Sequence, residues 1–220
     1  MLLAARCASC DRPGASPCRA CHAALRPPRP EADPPGLVGL VALLRYEGPA
    51  RPLVARVKYR NHRQGLDWLA TGLARRVRAE AVAVDLVTWA PTTDRHRRAR
   101  GFDHAELVAR RVAAELAVPC RAVLRRRPGP AQTGRPAEAR RVAGPGFVAG
   151  PLPPGARVLV IDDVVTTGAT LRAAVDAIRA VGGRPVPAAL ARTPAPRRKA
   201  PPPDTSKVST PEQRGEPAWK

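Results

Sequence analysis

The stretch from residue 157 to residue 183 constrains the fold more than any other part of this 220-residue chain. It opens with an apolar run over 157–161, which is typical of a strand buried on both faces. Apolar residues at helical spacing follow further on: Leu171, Val175 and Ile178. Gly182-Gly183 then gives a helix stop signal. The stretch therefore predicts a buried strand, a turn and an amphipathic helix.

Other segments repeat this alternation of strand and helix. Residues 37–46 and 85–90 have the composition of strands. Residues 186–190 are predicted to form a last strand, although Pro187 weakens this prediction. One helical face is predicted to contain Leu66, Leu69, Leu73 and Val77. Alternating strands and helices predict an α/β fold with a parallel sheet and helices on both faces.

A further helix is predicted to begin at Asp103. Aspartate is a favoured N-cap residue, and Glu106 stands three positions later, as in a capping box. The predicted buried stripe of this helix consists of Ala105, Val108, Val112 and Leu116. Ligands of parallel sheets bind beyond the carboxyl ends of the strands, so the segments after residues 90 and 161 are the candidate binding loops.

Two aspartates and a threonine-glycine turn lie between the strand at 157–161 and the helix after it. Asp162 and Asp163 are hydrogen-bond acceptors that suit the two vicinal hydroxyls of a ribose. The turn offers backbone N–H groups, the helix dipole and hydroxyls to a phosphate through Thr166, Thr167, Gly168, Ala169 and Thr170. Glycine at 168 is expected to let the backbone approach the anion. A chance strand, turn and N-cap uses the same residue types, but their order here is more specific for ribose 5-phosphate.

This run resembles the signature with which type I phosphoribosyltransferases bind 5-phosphoribosyl-1-pyrophosphate (PRPP). The resemblance implies the type I phosphoribosyltransferase fold, a Rossmann-like parallel sheet. It also implies that the catalytic acids Asp162 and Asp163 contact the ribose hydroxyls and that residues 166–170 hold the 5-phosphate. Mg²⁺ would enter with PRPP and bridge its pyrophosphate and ribose hydroxyls.

Two basic segments are candidates for binding the pyrophosphate and covering the site. Guanidinium groups make paired bonds to phosphates, and four arginines follow the strand at 85–90: Arg95, Arg97, Arg98 and Arg100. The polar segment 125–141 is predicted to be a mobile loop that closes over PRPP. A solvated basic face and a linker without a role are the alternatives.

The order of further motifs is similar to that in the ComF/GntX group. These phosphoribosyltransferase-like proteins are linked to DNA uptake during competence or to carbohydrate use. The shared motifs are Val57-Lys58-Tyr59-Arg60, Arg98-Ala99-Arg100-Gly101-Phe102, Gln132-Thr133-Gly134, Arg140-Arg141 and Gly146-Phe147. Lys58 matches a lysine common in the group and is a candidate pyrophosphate contact, with an ordinary surface lysine as the alternative. The group usually has Gly-Phe-Asn-Gln where this chain has Gly101-Phe102-Asp103-His104.

Two Cys-x-x-Cys pairs stand near the start of the chain, at Cys7, Cys10, Cys18 and Cys21. Four thiolates at this spacing complete a tetrahedral Zn²⁺ site with no open position, which predicts a structural metal. About 25 residues cannot build a hydrophobic core, so the metal would supply the folding free energy. Redox-active pairs and disulfides are the alternatives, and a reducing compartment argues against disulfides. We expect His22 to be a bystander.

Composition divides the chain into three parts. Residues 1–30 are predicted to form a cysteine-rich zinc ribbon, residues 31–193 the phosphoribosyltransferase domain, and residues 194–220 a disordered proline-rich tail. No apolar run reaches 18 residues, so we expect no membrane span and a cytoplasmic protein.

Two functions stay open at this point. The first is an enzyme that displaces pyrophosphate from C1 of PRPP with an unidentified nitrogen nucleophile. The second is a non-catalytic accessory protein for DNA uptake or recombination, which would bind DNA or a DNA-uptake helicase through its zinc ribbon and basic surface. The net charge of +20, with thirteen arginines against four acids between residues 95 and 141, favours polyanions under either hypothesis.

Overall fold

A computed structural model describes residues 5–56, 63–92, 103–127 and 146–195. Its helices are α1 (Arg19–Ala24), α2 (Ala50–Arg56), α3 (Arg63–Ala79), α4 (His104–Leu116) and α5 (Ala169–Ala180). Its strands are β1 (Val41–Arg45), β2 (Leu86–Trp89), β3 (Leu124–Arg126), β4 (Phe147–Ala149), β5 (Arg157–Val165) and β6 (Arg184–Arg192). Within these described ranges, none of the helices has the length and apolar character needed to cross a membrane.

The central sheet has four parallel strands in the order β1-β6-β5-β2. A separate antiparallel ladder joins β3 to β4. Apolar clusters cover both faces of the central sheet. Leu159 and Ile161 pack with residues of α2, α3 and α4 on one face, whereas Val158 and Val160 pack with residues of α5 on the other. The predicted α/β fold, a parallel sheet with helices on both faces, is therefore confirmed, and double-sided burial accounts for the unbroken apolar run.

Local sequence signals place two helices correctly. The predicted face of α3 is buried at all four of its apolar positions, Leu66, Leu69, Leu73 and Val77. Asp103 is the N-cap of α4 and accepts a hydrogen bond from the backbone N–H of Ala105. Glu106 does not complete the expected capping box, because its carboxylate pairs with Arg110 one turn further along the helix.

Strand β6 runs through Pro185 and Pro187, which the sequence predicted would weaken it. Arg184 donates its backbone N–H to the carbonyl oxygen of Ala156, on the side of β5. Backbone directions alternate along a strand, so the backbone nitrogens of Pro185 and Pro187 face away from β5. On that other side β1 joins the sheet only from the pair Val41–Ala188 onward. The prolines therefore stand where the described sheet requires no donor, and the strand continues through them.

Two other predicted boundaries are wrong. The first strand covers only Val41–Arg45 and not residues 37–46, and Leu37 is buried outside it against Gly168. Residues 125 and 126, expected in a mobile loop, belong to the β3–β4 ladder, while residues 128–145 lie outside the described part of the chain.

Candidate functional site

The site lies where β5 extends past its neighbour β2. The last pair of these strands is Trp89–Ile161, and the N–H of Ala90 donates to the carbonyl oxygen of Ile161. Beyond that point β5 continues to Val165 with β6 as its paired strand. Because β2 ends at Trp89 while β5 continues to Val165, a cleft lies at the carboxyl edge of the sheet, the expected place for a ligand.

This opening, which we call the β5 cleft, has a volume of about 240 Å³. Its lining residues are Ala90, Pro91, Thr92, His104, Ala105, Arg126, Asp162 and Thr170. Asp162 comes from the predicted ribose-binding pair and Thr170 from the predicted phosphate-binding turn. The structure thus brings both halves of the sequence motif to one cavity.

The two aspartates have different surroundings. Asp162 lines the cleft, and its Oδ1 accepts the N–H of Asp163 at 2.8 Å. Asp163 does not line the cleft itself, and its Oδ2 lies 3.0 Å from Nε2 of the cleft residue His104. Its Oδ1 accepts the N–H of Val164 at 2.7 Å. The pair therefore offers one carboxylate in the cleft wall and one held against α4.

The turn before α5 presents its groups unequally. Thr166 and Thr167 are exposed, and the Thr167 hydroxyl accepts the N–H of Ala169 at 3.4 Å. Thr170 alone of the three threonines lines the cleft. The N-terminus of α5 adds backbone N–H groups and the positive end of the helix dipole, which favour an anion.

Gly168 has a structural requirement in addition to the role that the sequence predicted. It is the N-cap of α5 with φ of +75°, a left-handed conformation that favours glycine. A Cβ added there would lie 2.7 Å from Cδ1 of Leu37 and 3.4 Å from Cβ of Pro34. Backbone conformation and packing against Leu37 therefore require this glycine, and the predicted approach of an anion does not have to be invoked.

Asp103 joins the two ends of the arginine-bearing segment. Its buried carboxylate accepts the N–H of Ala105 through Oδ1 and the N–H of Thr92 through Oδ2, both at 3.0 Å. The segment between these ends contains the predicted pyrophosphate contacts Arg95, Arg97, Arg98 and Arg100. Those arginines and Lys58 lie outside the described residues. Both flanks of the arginine segment are nevertheless fixed at the β5 cleft.

Arg126 adds a described cationic group to the cleft. It belongs to β3, and its guanidinium carbon lies 5.5 Å from the centre of the Phe147 ring on β4. A cation over an aromatic face is attracted by the ring quadrupole, so this contact across the β3–β4 ladder helps to orient the arginine. Arg126 was predicted to lie in a mobile loop that closes over PRPP, and it was not among the predicted pyrophosphate contacts.

His104 also lines the cleft and was not among the predicted site residues. It is the first residue of α4 and is almost fully buried. Position 104 shares a helix face with the buried Val108 and Val112, a four-residue spacing that is readable in the sequence. Its partner Asp163 lies 59 positions away, and the sequence contains no signal for that contact.

The four N-terminal cysteines form a second cluster, which we call the cysteine knuckle: Cys7, Cys10, Cys18 and Cys21. All four thiols are free, and their sulfur atoms lie within 4.8 Å of one another. The sulfurs of Cys10 and Cys18 are 3.7 Å apart. Tetrahedral zinc with Zn–S bonds of about 2.3 Å places its sulfurs about 3.8 Å apart, so the donor set fits that ion. The arrangement is compatible with the predicted zinc ribbon.

Electrostatics within the cysteine knuckle also favour a cation. Burial alone would raise the pKa of the Cys7 thiol, but backbone donors from Cys18, Cys10 and Ser9 lower it to about 6. Burial, with contributions from the neighbouring thiols, raises the pKa of Cys21 to about 12. Four thiolates so close together repel one another, and a bound metal ion removes that repulsion. His22 packs edge-on against Trp68 at 5.5 Å, consistent with a bystander to the sulfur cluster.

Comparison with known proteins identifies the family. The phosphoribosyl transferase domain matches residues 100–216, more than half of the chain. An adenine phosphoribosyltransferase of Thermobifida fusca is 66% identical over 32 residues, 14% of this chain and 18% of that protein. Adenine phosphoribosyltransferase of Leishmania tarentolae aligns with a TM-score of 0.38 and 21% identity, over 56% of this chain and 55% of that one. Purine phosphoribosyltransferase of Pyrococcus horikoshii aligns with a TM-score of 0.37 and 19% identity, over 58% and 83%.

The chain spans less than a fifth of the Thermobifida relative and about half of the Leishmania structure. The family match begins at residue 100 and includes α4, β5 and α5, the elements that supply His104, Asp162 and Thr170 to the β5 cleft. By the extent of that match, the chain belongs to the phosphoribosyl transferase domain family.

Proposed function

We propose that the chain binds PRPP in the β5 cleft and displaces its pyrophosphate with a nitrogen nucleophile. The observation that carries this proposal is the shared cleft of Asp162 and Thr170, one from the acidic pair and one from the phosphate-type turn. The acids Asp162 and Asp163 would accept the ribose hydroxyls, and the turn 166–170 would hold the 5-phosphate. The assignment of residues 31–193 as the phosphoribosyltransferase domain belongs to the same proposal.

In the proposed reaction the bond from C1 to the pyrophosphate oxygen breaks and a C1–N bond forms. The nitrogen loses its proton to the released pyrophosphate or to water. Such a transfer depends on positioning and on charge stabilisation, so few acid–base groups are needed. Mg²⁺ accompanying PRPP would neutralise charge on the leaving group. Arg95, Arg97, Arg98, Arg100 and Lys58 are the proposed pyrophosphate contacts.

Described contacts support a role for the arginine segment. Asp103 fixes Thr92 and the start of α4, which are the two flanks of that segment, and Thr92 lines the cleft. Arg126 places another guanidinium in the same lining. Arginine forks bind phosphate groups through paired charge-assisted hydrogen bonds.

The proposal is tested by titrating PRPP and Mg²⁺ into the protein in a calorimeter. Asp162→Asn keeps the side-chain shape and removes the charge, so PRPP affinity should fall by about tenfold to a hundredfold, the usual value of a charged hydrogen bond. Asp176→Asn is the matched control. This exposed acid lies on α5, the helix that follows β5, and it pairs locally with Arg179 on the same helix. Equal PRPP affinity for Asp162→Asn and the wild type would contradict the proposal. Pyrophosphate release across a panel of bases and amines then identifies the nucleophile.

A narrower assignment follows from the motif order. We propose that the chain is a ComF/GntX-type protein whose cysteine knuckle holds structural Zn²⁺, with a link to DNA uptake. The fit of four thiols to a tetrahedral ion supports the metal part of this proposal. Metal analysis of the purified protein tests it, with one zinc ion per chain as the expected result.

The net charge of +20 favours a second candidate, a non-catalytic accessory role on DNA. Binding to the DNA backbone alone would weaken steeply as salt rises. Filter binding of duplex DNA at increasing salt, with and without PRPP, separates the two functions. Tight DNA binding without any PRPP binding would favour the accessory role.

A further inference from the structure

The contact between His104 and Asp163 is a largely buried polar interaction that the proposed chemistry leaves unexplained. Nε2 of His104 lies 3.0 Å from Oδ2 of Asp163. The side chains are only 8% and 17% exposed, so bulk water competes weakly for this bond. Residue 104 begins α4 and residue 163 stands near the end of β5, so the bond ties a helix start to the ligand-facing edge of the sheet.

The geometry fixes which ring nitrogen donates. An ionised carboxylate only accepts hydrogen bonds, so Nε2 of His104 must carry a proton to bond Asp163. Nδ1 of His104 is buried, and among the described residues it has no hydrogen-bond partner. A proton on Nδ1 would be a buried donor without an acceptor, which is costly. Both conditions place the proton on Nε2.

Two described donors hold the Asp163 carboxylate, one on each oxygen. The N–H of Val164 reaches Oδ1 at 2.7 Å and the imidazole reaches Oδ2 at 3.0 Å. A carboxylate has about four lone-pair sites, so these two bonds do not exhaust its acceptor capacity. The carboxylate plane is therefore set before any ligand arrives, and the ligand need not pay for ordering it.

We infer that His104 is a positioning residue, which holds Asp163 in the orientation that accepts a ribose hydroxyl of PRPP. This inference rests on the proposed function of the β5 cleft. His104 also lines the cleft, so it stands beside the same ligand without itself being assigned a chemical step. In the acidic pair, Asp162 then lines the cleft directly, and Asp163 is held in place by the imidazole of His104.

Three substitutions at position 104 separate hydrogen bonding from packing. Glutamine can place its amide nitrogen near the position of Nε2, whereas asparagine reaches only as far as Nδ1. In PRPP titrations with Mg²⁺, His104→Ala and His104→Asn should raise the dissociation constant for PRPP about tenfold or more, as loss of a charged hydrogen bond predicts. The dissociation constant of His104→Gln should stay within about threefold of the wild-type value.

Calorimetric unfolding of the same variants checks that all of them fold. If His104→Ala does not fold, the comparison of the asparagine and glutamine variants decides alone. Equal PRPP affinity in these two variants, or wild-type affinity in His104→Ala, would overturn the inference.

A ligand-free readout separates this inference from the proposed function. In the ¹⁵N spectrum of histidine-labelled wild-type protein, the His104 ring should carry its proton on Nε2, and Asp163→Asn should shift that proton signal. A ring protonated on Nδ1 alone would overturn the inference whatever the ligand. Absence of PRPP binding by the wild type would instead overturn the proposed function, and the ribose role of His104 with it.

Discussion

The β5 cleft and the cysteine knuckle are candidate sites that are held in place by different forces. Below the cleft, β5 is buried on both faces by apolar clusters that include Val158 and Leu159. Burying one such side chain contributes about 1.5–3 kcal/mol, so the strand does not need a ligand to keep its position. The knuckle has little apolar burial of its own, with Cys7 and Ala8 as its fully buried apolar residues. Ligand binding at the cleft should therefore leave folding nearly unchanged, whereas binding of the proposed metal at the knuckle would itself be coupled to folding.

The cysteine knuckle also contacts both flanks of the segment that contains Lys58. The hydroxyl of Ser9 donates to the carbonyl of Pro49 just before α2, and Asp11 lies 3.8 Å from Arg56 at the end of that helix. At the start of α3, Gly65 packs closely against the N-terminal segment, since an added Cβ would lie 3.1 Å from the Ser16 hydroxyl. Loss of the knuckle should therefore loosen α2 and α3 as well.

The largest effect is expected on stability, from removing one ligand of the proposed metal in the cysteine knuckle. Cys10 is exposed, so Cys10→Ser removes one thiolate with little change in packing. The variant should lose bound metal and unfold at least about 5 °C below the wild type, because 1 kcal/mol shifts such a domain by about 2–4 °C. Calorimetry and metal analysis measure both quantities.

Cys120→Ser is the matched control, since this thiol lies outside the cluster. It should keep the wild-type metal content. Full metal content and unchanged unfolding temperature in Cys10→Ser would show that the knuckle is not metal-dependent.

A smaller effect is expected at Asp103, which serves both folding and the cleft. Asp103→Ala removes the N-cap of α4 and should cost about 1 kcal/mol of stability. Asp103→Asn keeps a cap oxygen for Ala105 but replaces the acceptor of the Thr92 N–H with an amide NH₂ group. The asparagine variant should therefore lose less stability than the alanine variant and still bind PRPP several-fold more weakly. Urea unfolding and PRPP titration of both variants test this, and equal losses of stability would contradict the separation of the two roles.

The smallest effect is expected at the other end of β5, far from the cleft. The carboxylate of Asp85 pairs with the guanidinium of Arg157 at 2.7 Å, and this hydrogen bonding lowers the pKa of Asp85 to about 2 from its ordinary 3.8. A lowered pKa stabilises the folded state above the ordinary value, and this contribution is lost as the pH falls from about 4 to about 2. The pair is exposed, so its contribution is small.

Urea midpoints measured against pH test this prediction with Asp85→Asn. The midpoint of the variant should lie slightly below that of the wild type at pH 6 and approach it near pH 2, with no change in PRPP affinity at neutral pH. A constant gap across the acid range would contradict it.

The sequence predicted those parts of the molecule that depend on neighbouring residues. The apolar run before Asp162, the buried face of α3 and the N-cap Asp103 all follow from local spacing. Contacts between distant segments were not predictable in this way. The bond from His104 to Asp163 and the packing of Leu37 on Gly168 depend on how the sheet is assembled.

The same limit explains why Pro187 was predicted to weaken β6 and why β3 was predicted to be part of a loop. Pro187 continues a strand because β1 joins only at Ala188, which is a matter of register between strands far apart in the chain. Arg126 belongs to a ladder because Phe147 pairs with it across a long connection. In both cases the partner strand, and not the local composition, decided the structure.

The proposed role of the β5 cleft is best tested by a structure of the protein with PRPP and Mg²⁺. In that structure the 5-phosphate should lie at the N-terminus of α5 beside Thr170, with the ribose hydroxyls within hydrogen-bond distance of the Asp162 and Asp163 carboxylates. PRPP bound away from β5, with both aspartates more than 6 Å from any ribose oxygen, would contradict it.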